Sequence, residues 1–216
     1  MASSRSSIRL GVMASGRGSN LQAIIDRVER GELLAEIAVV VGNRAEAKAI
    51  SRARKHGAPV AVFERADYPS RFARDRAMAA CLQEYEVDLV VMAGYDQLVS
   101  DEFLRTFEGR IINIHPSLLP AFAGGLHAQL DAWEYGVKLA GCTVHFVSVG
   151  PADGGQIILQ KAVPVLDDDT PETLADRILV EEHKLLPEGI RLFAEGRLEI
   201  RGRRVHIVPA KAVHNE

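Results

Sequence analysis

Two polar side chains close an apolar run in the stretch IINIHPSLLP, where Asn113 and His115 stand two residues apart. Because strand side chains alternate between the two faces, both are expected to project from the same face. Burying an amide and an imidazole without partners would cost a few kcal/mol, so either the fold satisfies them or they face a cleft. In a cleft they would be two neighbouring donors of the kind that stabilises an oxyanion. A structural role for His115 is the alternative.

A carboxylate that could complete this pair occurs in GPADGG, where Asp153 precedes two glycines between two apolar runs. From a loop between strands it could reach His115, hold the imidazole in its charged form and fix its orientation. Because Asp-Gly is a common turn dipeptide, an ordinary turn residue is the alternative interpretation. Two other histidines are interpreted differently: His145, inside a strand, is predicted to be structural, and His127 lies in a predicted substrate loop without an assigned role.

A second kind of chemistry is indicated by MASGRGSNLQ, which joins an apolar run to a helical pattern. Gly16 and Gly18 allow a tight turn, and Ser19 and Asn20 lie at the helix entrance. Exposed amides at a helix N-terminus together with polar side chains are typical of an anion site, most naturally for phosphate. Leu21 replaces the third glycine of the dinucleotide fingerprint, and the lysine of a Walker loop is missing, which favours a single phosphate. An ordinary capped turn is the alternative.

The elements that must position these groups alternate along the first half of the chain. Apolar runs are separated by stretches with helical periodicity, among them SNLQAIIDRVERGEL and AEAKAISRARKHG. This alternation predicts an α/β fold with a parallel, doubly wound sheet and helices on both faces. The predicted strands are IRLGVMAS, AEIAVVVGN, PVAVFE, VDLVVMAG and RIINIHP.

The pattern changes after Pro120. GCTVHFVSV and QIILQKAVPV are predicted to be neighbouring strands joined by the GPADGG loop. A long helix follows, with Thr170 as its N-cap and Pro171 at its first position. A small hairpin is predicted around Gly202. No repeat or linker-like stretch interrupts the chain, so residues 1–216 are interpreted as one domain.

Composition excludes several classes of function. The chain has 216 residues, of which 47% are hydrophobic and 25% charged, as in an ordinary globular protein. The net charge is −3 and basic residues are scattered, so nucleic acid is not expected as a partner. Cys81 and Cys142 show no zinc-site spacing, no metal is expected, and two thiols in a chain of this length fit a reducing compartment.

Membrane association and export are not expected either. The N-terminal MASSRSS has no apolar core of the signal-peptide type. Apolar runs such as AEIAVVVG and VDLVVMAG are far too short to span a bilayer. The sequence therefore predicts a soluble, cytoplasmic protein.

Taken together, four motifs resemble one enzyme family. MASGRGSNLQ, NIHPSLLPAF, GCTVHFV followed by DGG, and EEHKLLP occur in one order over nearly the whole chain. This combination resembles the phosphoribosylglycinamide formyltransferases, folate-dependent enzymes of purine synthesis, although HPSLLP alone is shared with other folate formyltransferases. The resemblance implies a Rossmann-like, mostly parallel sheet with an antiparallel C-terminal extension. It also implies formyl transfer from 10-formyltetrahydrofolate to the amine of 5′-phosphoribosylglycinamide (GAR), without a metal.

The resemblance also implies roles for individual residues. The implied catalytic residues are Asn113, His115 and Asp153. The implied substrate residues are Gly18, Ser19 and Asn20 at the phosphate and Glu182 at the ribose. The implied folate residues are Arg71, Asp96, Gln97, Leu98, Val99 and Asn113.

Three further expectations concern position 97, the two halves of the chain and its partners. Gln97 stands at a position that is often arginine in the family and faces the glutamate tail of the folate. Residues 8–120 are interpreted as the phosphate-binding half and residues 121–208 as the folate and catalytic half. The implied partners are the small molecules GAR and folate, and both a monomer and a homodimer are compatible with the sequence.

Three alternatives remain at this stage. A formyltetrahydrofolate hydrolase usually carries an extra N-terminal regulatory domain, of which the sequence gives no sign. A methionyl-tRNA formyltransferase needs a basic nucleic-acid-binding domain, which a net charge of −3 does not favour. In a non-catalytic mononucleotide-binding module, Asn113, His115 and Asp153 would all be structural.

Overall fold

Seven strands form one sheet in the computed structural model, which describes residues 7–210. The strands are β1 (Ile8–Met13), β2 (Ala35–Gly42), β3 (Val60–Val62), β4 (Leu89–Met92), β5 (Ile111–His115), β6 (Leu139–Phe146) and β7 (Ile157–Pro164), while β8 (Leu198–Arg201) and β9 (Arg204–Ile207) form a separate hairpin. The helices are α1 (Ser19–Glu29), α2 (Lys48–Lys55), α3 (Arg71–Glu84), α4 (Asp101–Thr106), α5 (Ala128–Tyr135) and α6 (Pro171–Ala194).

The sheet has the predicted mixed topology. Its order is β3-β2-β1-β4-β5-β6-β7, with parallel pairing from β3 to β5. The pairs β5–β6 and β6–β7 are antiparallel. This confirms a mostly parallel sheet with an antiparallel extension and a terminal hairpin. Because strand order reverses between β1 and β4, the crevice at their carboxyl ends is the expected ligand site of such a sheet.

Alternate residues of the central strands supply two cores, one on each face of the sheet. In β4, Leu89 and Val91 belong to the core that α1, α2 and α6 cover, whereas Val90 and Met92 belong to the core covered by α3 and α4. All four side chains are at most 8% exposed. This double covering explains why β4 is apolar at every position.

One helix was not expected from the sequence. No element is predicted for the region that follows AFAGGLH, but α5 forms there and buries only Ala128 and Ala132. Two small residues one helical turn apart give little hydrophobic periodicity, which explains why the pattern did not reveal the helix. A hydrogen bond of 2.7 Å from Trp133 Nε1 to the carbonyl of Asp169 ties α5 to the start of α6.

The N-terminus of α6 is closed by a reciprocal capping box. Thr170 Oγ1 accepts a hydrogen bond from the Thr173 amide at 3.3 Å, and Thr173 Oγ1 accepts one from the Thr170 amide at 2.9 Å. Pro171 occupies the first helical position, as predicted.

We expect Thr170→Ala to lower the free energy of unfolding by about 1 kcal/mol, because one orphan amide of α6 loses its acceptor. Urea denaturation measures the difference, and Thr170→Ser serves as the control because it keeps the hydroxyl. Equal unfolding free energies for Thr170→Ala and the unsubstituted protein would contradict the assigned cap.

Residues 1–6 and 211–216 lie outside the described part of the chain. The prediction that MASSRSS lacks a signal-peptide core falls mostly on the first of these two ends. Between residues 7 and 210, no helix combines the length and the apolar character needed to cross a membrane. Cys81 and Cys142 are free thiols.

Candidate active site

The polar residues singled out in the sequence gather at the carboxyl edge of the sheet. Residues 14–20 follow β1, residues 93–100 follow β4, and Asn113 and His115 end β5. The antiparallel partner β6 continues into the loop that carries Asp153. Parallel β1, β4 and β5 therefore deliver three of the motifs to the crevice at the switch point.

His115 lies between two hydrogen-bond acceptors. Its side chain is buried, with Nδ1 3.3 Å from Asp153 Oδ2 and Nε2 3.0 Å from the carbonyl of Phe122. Because both neighbours accept hydrogen bonds, the imidazole satisfies both only when each ring nitrogen carries a hydrogen. The predicted approach of Asp153 to His115 is present, and the arrangement suits the charged form of the ring.

Asn113 contacts the same carboxylate through its amide group. Nδ2 lies 3.2 Å from His145 Nε2 and 3.4 Å from Asp153 Oδ1. Asn113 and His145 face each other in the β5–β6 pairing, so the register of the antiparallel strands brings them together. The longer of the two contacts is weak by distance, which leaves one Nδ2 hydrogen available to a ligand.

His145 is a member of this cluster, although the sequence was interpreted as giving it only a structural role. The ring is fully buried, Nδ1 donates to the carbonyl of Phe146 at 2.9 Å, and Nε2 lies 3.5 Å from Asp153 Oδ1. The strand register, which sequence spacing alone does not provide, is the signal that would have placed it beside Asn113.

Asp153 remains ionised although it is partly buried. Burial raises the pKa of this carboxyl, but His145, the Gly124 amide and the charge of His115 outweigh that effect and hold its pKa below the ordinary value. The Gly124 amide donates to Oδ2 at 2.8 Å. Asp153 also has a φ of +54°, in the left-handed region that aspartate tolerates better than most residues.

The start of α1 offers backbone donors without a capping side chain. Gly18 is the N-cap, with φ at +72°, no side chain closes this end, and the first turn contains no acidic residue. A Cβ at Gly18 would lie 2.6 Å from the Cα of Ala49, so only glycine fits between α1 and α2. The amides at Ser19 and Asn20 donate to no residue of the described range, so this helix end can receive an anion.

Asn20 connects this helix end to α6. Its Nδ2 donates to Glu182 Oε2 at 2.7 Å, while its Oδ1 is buried without a partner among residues 7–210. Glu182 is only 5% exposed, and burial raises its pKa despite the opposing effects of the Asn20 hydrogen bond and the Arg17 charge. A buried carboxylate and an unpaired amide oxygen together present acceptors to a ligand that donates, such as a hydroxyl group.

The segment after β4 is anchored at its first residue. Asp96 accepts hydrogen bonds from Asn43 and Arg44, and its own amide donates to Ser15 Oγ at 3.1 Å. Burial raises the pKa of Asp96, but the hydrogen bonds that it accepts outweigh this and lower it overall. Leu98 is 68% exposed in the same segment and Val99 is half-buried.

Two further side chains expected at the folate site occupy different surroundings. Arg71 is exposed at the first position of α3, with its guanidinium 5.2 Å from the ring centre of Phe72. Gln97 uses its side-chain oxygen to accept a hydrogen bond from Arg74 Nη1. A guanidinium therefore reaches position 97 from α3, although the residue at 97 is itself uncharged.

No group of three or more histidine, cysteine, aspartate and glutamate side chains within the described part of the chain is arranged to hold a metal ion. Asn113, His115 and Asp153 are paired with one another and with backbone atoms.

Comparison with known proteins agrees with this arrangement. A family model described as formyl transferase matches residues 8–190. The bovine trifunctional purine biosynthetic protein adenosine-3 is 43% identical over 192 residues, and the chain spans 89% of its own length but 19% of that protein. The phosphoribosylglycinamide formyltransferase of Haemophilus influenzae is 41% identical over 193 residues, with 89% of this chain and 90% of that protein covered.

Solved structures give the same result. The glycinamide ribonucleotide transformylase 1 of Symbiobacterium toebii superposes with a TM-score of 0.91 at 57% sequence identity, covering 94% of this chain and 95% of that one. The family match extends over β1 to most of α6 and includes every motif of the crevice. The chain therefore belongs to the formyl transferase family.

Proposed function

We propose that this protein transfers the formyl group of 10-formyltetrahydrofolate to the amine of GAR, a step of de novo purine synthesis. The observation that supports this most directly is the junction of two sites at one sheet edge. A cluster of Asn113, His115 and Asp153 lies beside a helix N-terminus fitted for a phosphate. The names of the relatives and their coverage of this chain support the same reaction.

GAR would bind across α1 and α6. The phosphate would accept hydrogen bonds at Gly18, Ser19 and Asn20, where the helix end is uncapped and carries no acidic residue. The ribose hydroxyls would donate to Glu182, whose carboxylate Asn20 holds in place. These contacts would direct the substrate amine toward β5.

The folate would lie along the segment that follows β4. We propose that the backbone of Asp96, Gln97, Leu98 and Val99 lines its pterin ring, and that the Gln97 side chain faces its glutamate tail. Arg71 would lie near the folate, and Asn113 would contact both the folate and the reacting group. The backbone N–H and C=O groups of residues 97–99 hydrogen-bond to no described residue. Alternating free donors and acceptors of this kind suit the edge of a pterin.

The reaction would proceed by direct attack. The GAR amine nitrogen forms a bond to the formyl carbon, and the carbonyl electron pair moves onto oxygen to give a tetrahedral oxyanion. Asn113 Nδ2 and charged His115 would donate to that oxygen, for which the formyl oxygen must replace or share the Phe122 carbonyl on His115 Nε2.

The intermediate would collapse by losing the folate nitrogen. A proton leaves the attached amine, reaches the leaving nitrogen by way of water held at Asp153, and the bond from carbon to that nitrogen breaks. The products are formyl-GAR and tetrahydrofolate. Asp153 would thereby have two tasks, since it would also orient His115 through the contact at Nδ1.

Glu182→Gln tests the ribose contact. We expect the KM for GAR to rise about tenfold, because one charge-assisted acceptor is lost, while the KM for folate stays unchanged. Since burial raises the pKa of Glu182 above 4.5, the carboxyl weakens folding as pH rises through that raised pKa. Glu182→Gln should therefore unfold at an equal or higher temperature at pH 7.

Initial rates with GAR as the varied substrate, and thermal unfolding at pH 7 and below pH 4.5, measure these effects. Glu181→Gln is the matched control, because Glu181 neighbours it on α6 but pairs with Lys184. An unchanged KM for GAR would remove Glu182 from the substrate site.

One assay distinguishes the proposed reaction from its alternatives. The protein is incubated with 10-formyltetrahydrofolate, with and without GAR, and loss of the formyl group is followed by absorbance. We expect turnover only when GAR is present. Turnover without GAR would indicate a hydrolase, and no turnover in either case would indicate a binding module.

A further inference from the structure

A buried ion pair lies beside the segment of residues 96–99. Arg74 and Asp75, adjacent on α3, are 3% and 1% exposed, and Arg74 Nη2 lies 3.1 Å from Asp75 Oδ1. Arginine and aspartate are seldom buried this completely unless their charges are paired. Neither residue contacts the catalytic cluster, and the mechanism above does not use them.

Both members of the pair extend onto the chain that follows β4. Arg74 Nη1 donates to the side-chain oxygen of Gln97, and Asp75 Oδ2 accepts a hydrogen bond of 2.6 Å from the Ser100 amide. Ser100 is itself buried and caps α4. The pair therefore holds the far end of the segment, while Asp96 holds its near end.

Between these two anchors the backbone is unpaired. Residues 97–99 make no backbone hydrogen bond to the described part of the chain, and the Leu98 side chain is largely exposed. A strip of free donors and acceptors binds a planar ligand well only when its geometry is fixed beforehand, since ordering it on binding would reduce affinity.

We propose that Arg74 is a positioning residue for the folate site, acting through Gln97 to fix the backbone of residues 97–99. This inference rests on the proposed function. The guanidinium suits the role because its planar set of donors can hold Asp75 and Gln97 at the same time. The third donor group of Arg74, Nε, is buried and has no partner among residues 7–210. The contacts to Asp75 and Gln97 are therefore the ones that hold the guanidinium.

The test compares variants of α3 and of position 97. Arg74→Met removes the guanidinium, and Gln97→Met removes its acceptor but leaves the buried ion pair intact, so the second variant remains informative if the first folds poorly. Arg76→Met is the matched control, because Arg76 lies on the same helix but is exposed and pairs with Glu102.

We expect the KM for 10-formyltetrahydrofolate to rise about tenfold in Arg74→Met and in Gln97→Met, because each loses the charge-assisted bond that holds the segment. The KM for GAR should stay within about twofold of its original value. The double variant should be no worse than Arg74→Met, since both changes break the same contact. Calorimetric titration with tetrahydrofolate should show the same loss of affinity.

The outcomes separate the inference from the proposed function. An unchanged folate KM in a folded Gln97→Met protein, or an equal rise in the KM for GAR, would overturn the positioning role. Effects that simply add in the double variant would also overturn it. If the unsubstituted protein fails to formylate GAR, the proposed function is wrong, and the calorimetric titration then decides on the inference alone. Equal tetrahydrofolate affinities for Gln97→Met and the unsubstituted protein, or no binding by either, would overturn it.

Discussion

Asp153→Asn should lower kcat for formyl transfer by about 10²–10³. Asparagine keeps the size of the side chain and tolerates the left-handed backbone at this position, so the loop should retain its shape. It removes the negative charge that faces His115 Nδ1 at 3.3 Å and the acceptor available to the proton in transfer. The loss should therefore appear in kcat, with the KM values for GAR and folate little changed.

The pH dependence follows from the direction of the pKa shift. Because the pKa of Asp153 lies below its ordinary value of 3.8, the carboxylate stabilises the folded chain above that pH. This stabilisation is lost as pH falls through the lowered pKa. Denaturant unfolding at pH 7 should therefore show Asp153→Asn to be less stable than the unsubstituted protein, with the difference shrinking toward acid pH.

Asp167→Asn is a suitable control for both measurements, because the Asp167 side chain is 97% exposed and its one ion pair within residues 7–210 is with Lys138. Near-full formyl transfer by Asp153→Asn would remove Asp153 from the mechanism. A large rise in either KM with kcat unchanged would assign it to binding instead.

The second large effect concerns His115. We expect His115→Ala to reduce kcat by about 10²–10³, since it removes one of the two donors proposed for the oxyanion, and one such donor is typically worth this much. Initial rates at saturating GAR and folate measure the change. His206→Ala, an exposed substitution on the terminal hairpin, controls for the loss of an imidazole as such.

The two catalytic substitutions should not be additive. If Asp153 acts partly through His115, the double variant His115→Ala/Asp153→Asn should lose less activity than the product of the single losses. Fully multiplicative losses would mean that the two residues act independently. Retention of normal kcat by His115→Ala would contradict the oxyanion role.

Much of the fold could be predicted because a strand that is buried on both faces is apolar at every position. The run VDLVVMAG has no polar interruption, and β4 is indeed covered on both sides. Thr170 and Pro171 marked the start of α6 through local capping chemistry. Helix α5 has no comparable apolar pattern in its sequence, because only two alanines, Ala128 and Ala132, are buried where it packs.

The proximity of two residues of the candidate site could be predicted when they are close in sequence, but not when they are far apart in sequence. Asn113 and His115 share a strand, so their common face follows from alternation. His145 joins them through strand register, and Arg74 meets Gln97 across 23 residues. A helix surface rich in charge is usually exposed, so nothing in the sequence distinguishes buried Arg74 from exposed Arg76. The roles assigned to all these residues remain predictions.

The close approach of Gly18 and Ala49 extends the proposed phosphate site beyond the residues that would touch the ligand. Ala49 is fully buried on α2 and meets the turn where α1 begins. A larger side chain at position 49 would push the two helices apart and tilt the amides at Ser19 and Asn20. The proposed phosphate site therefore depends on a small side chain at position 49 as well, although that residue would not touch the ligand.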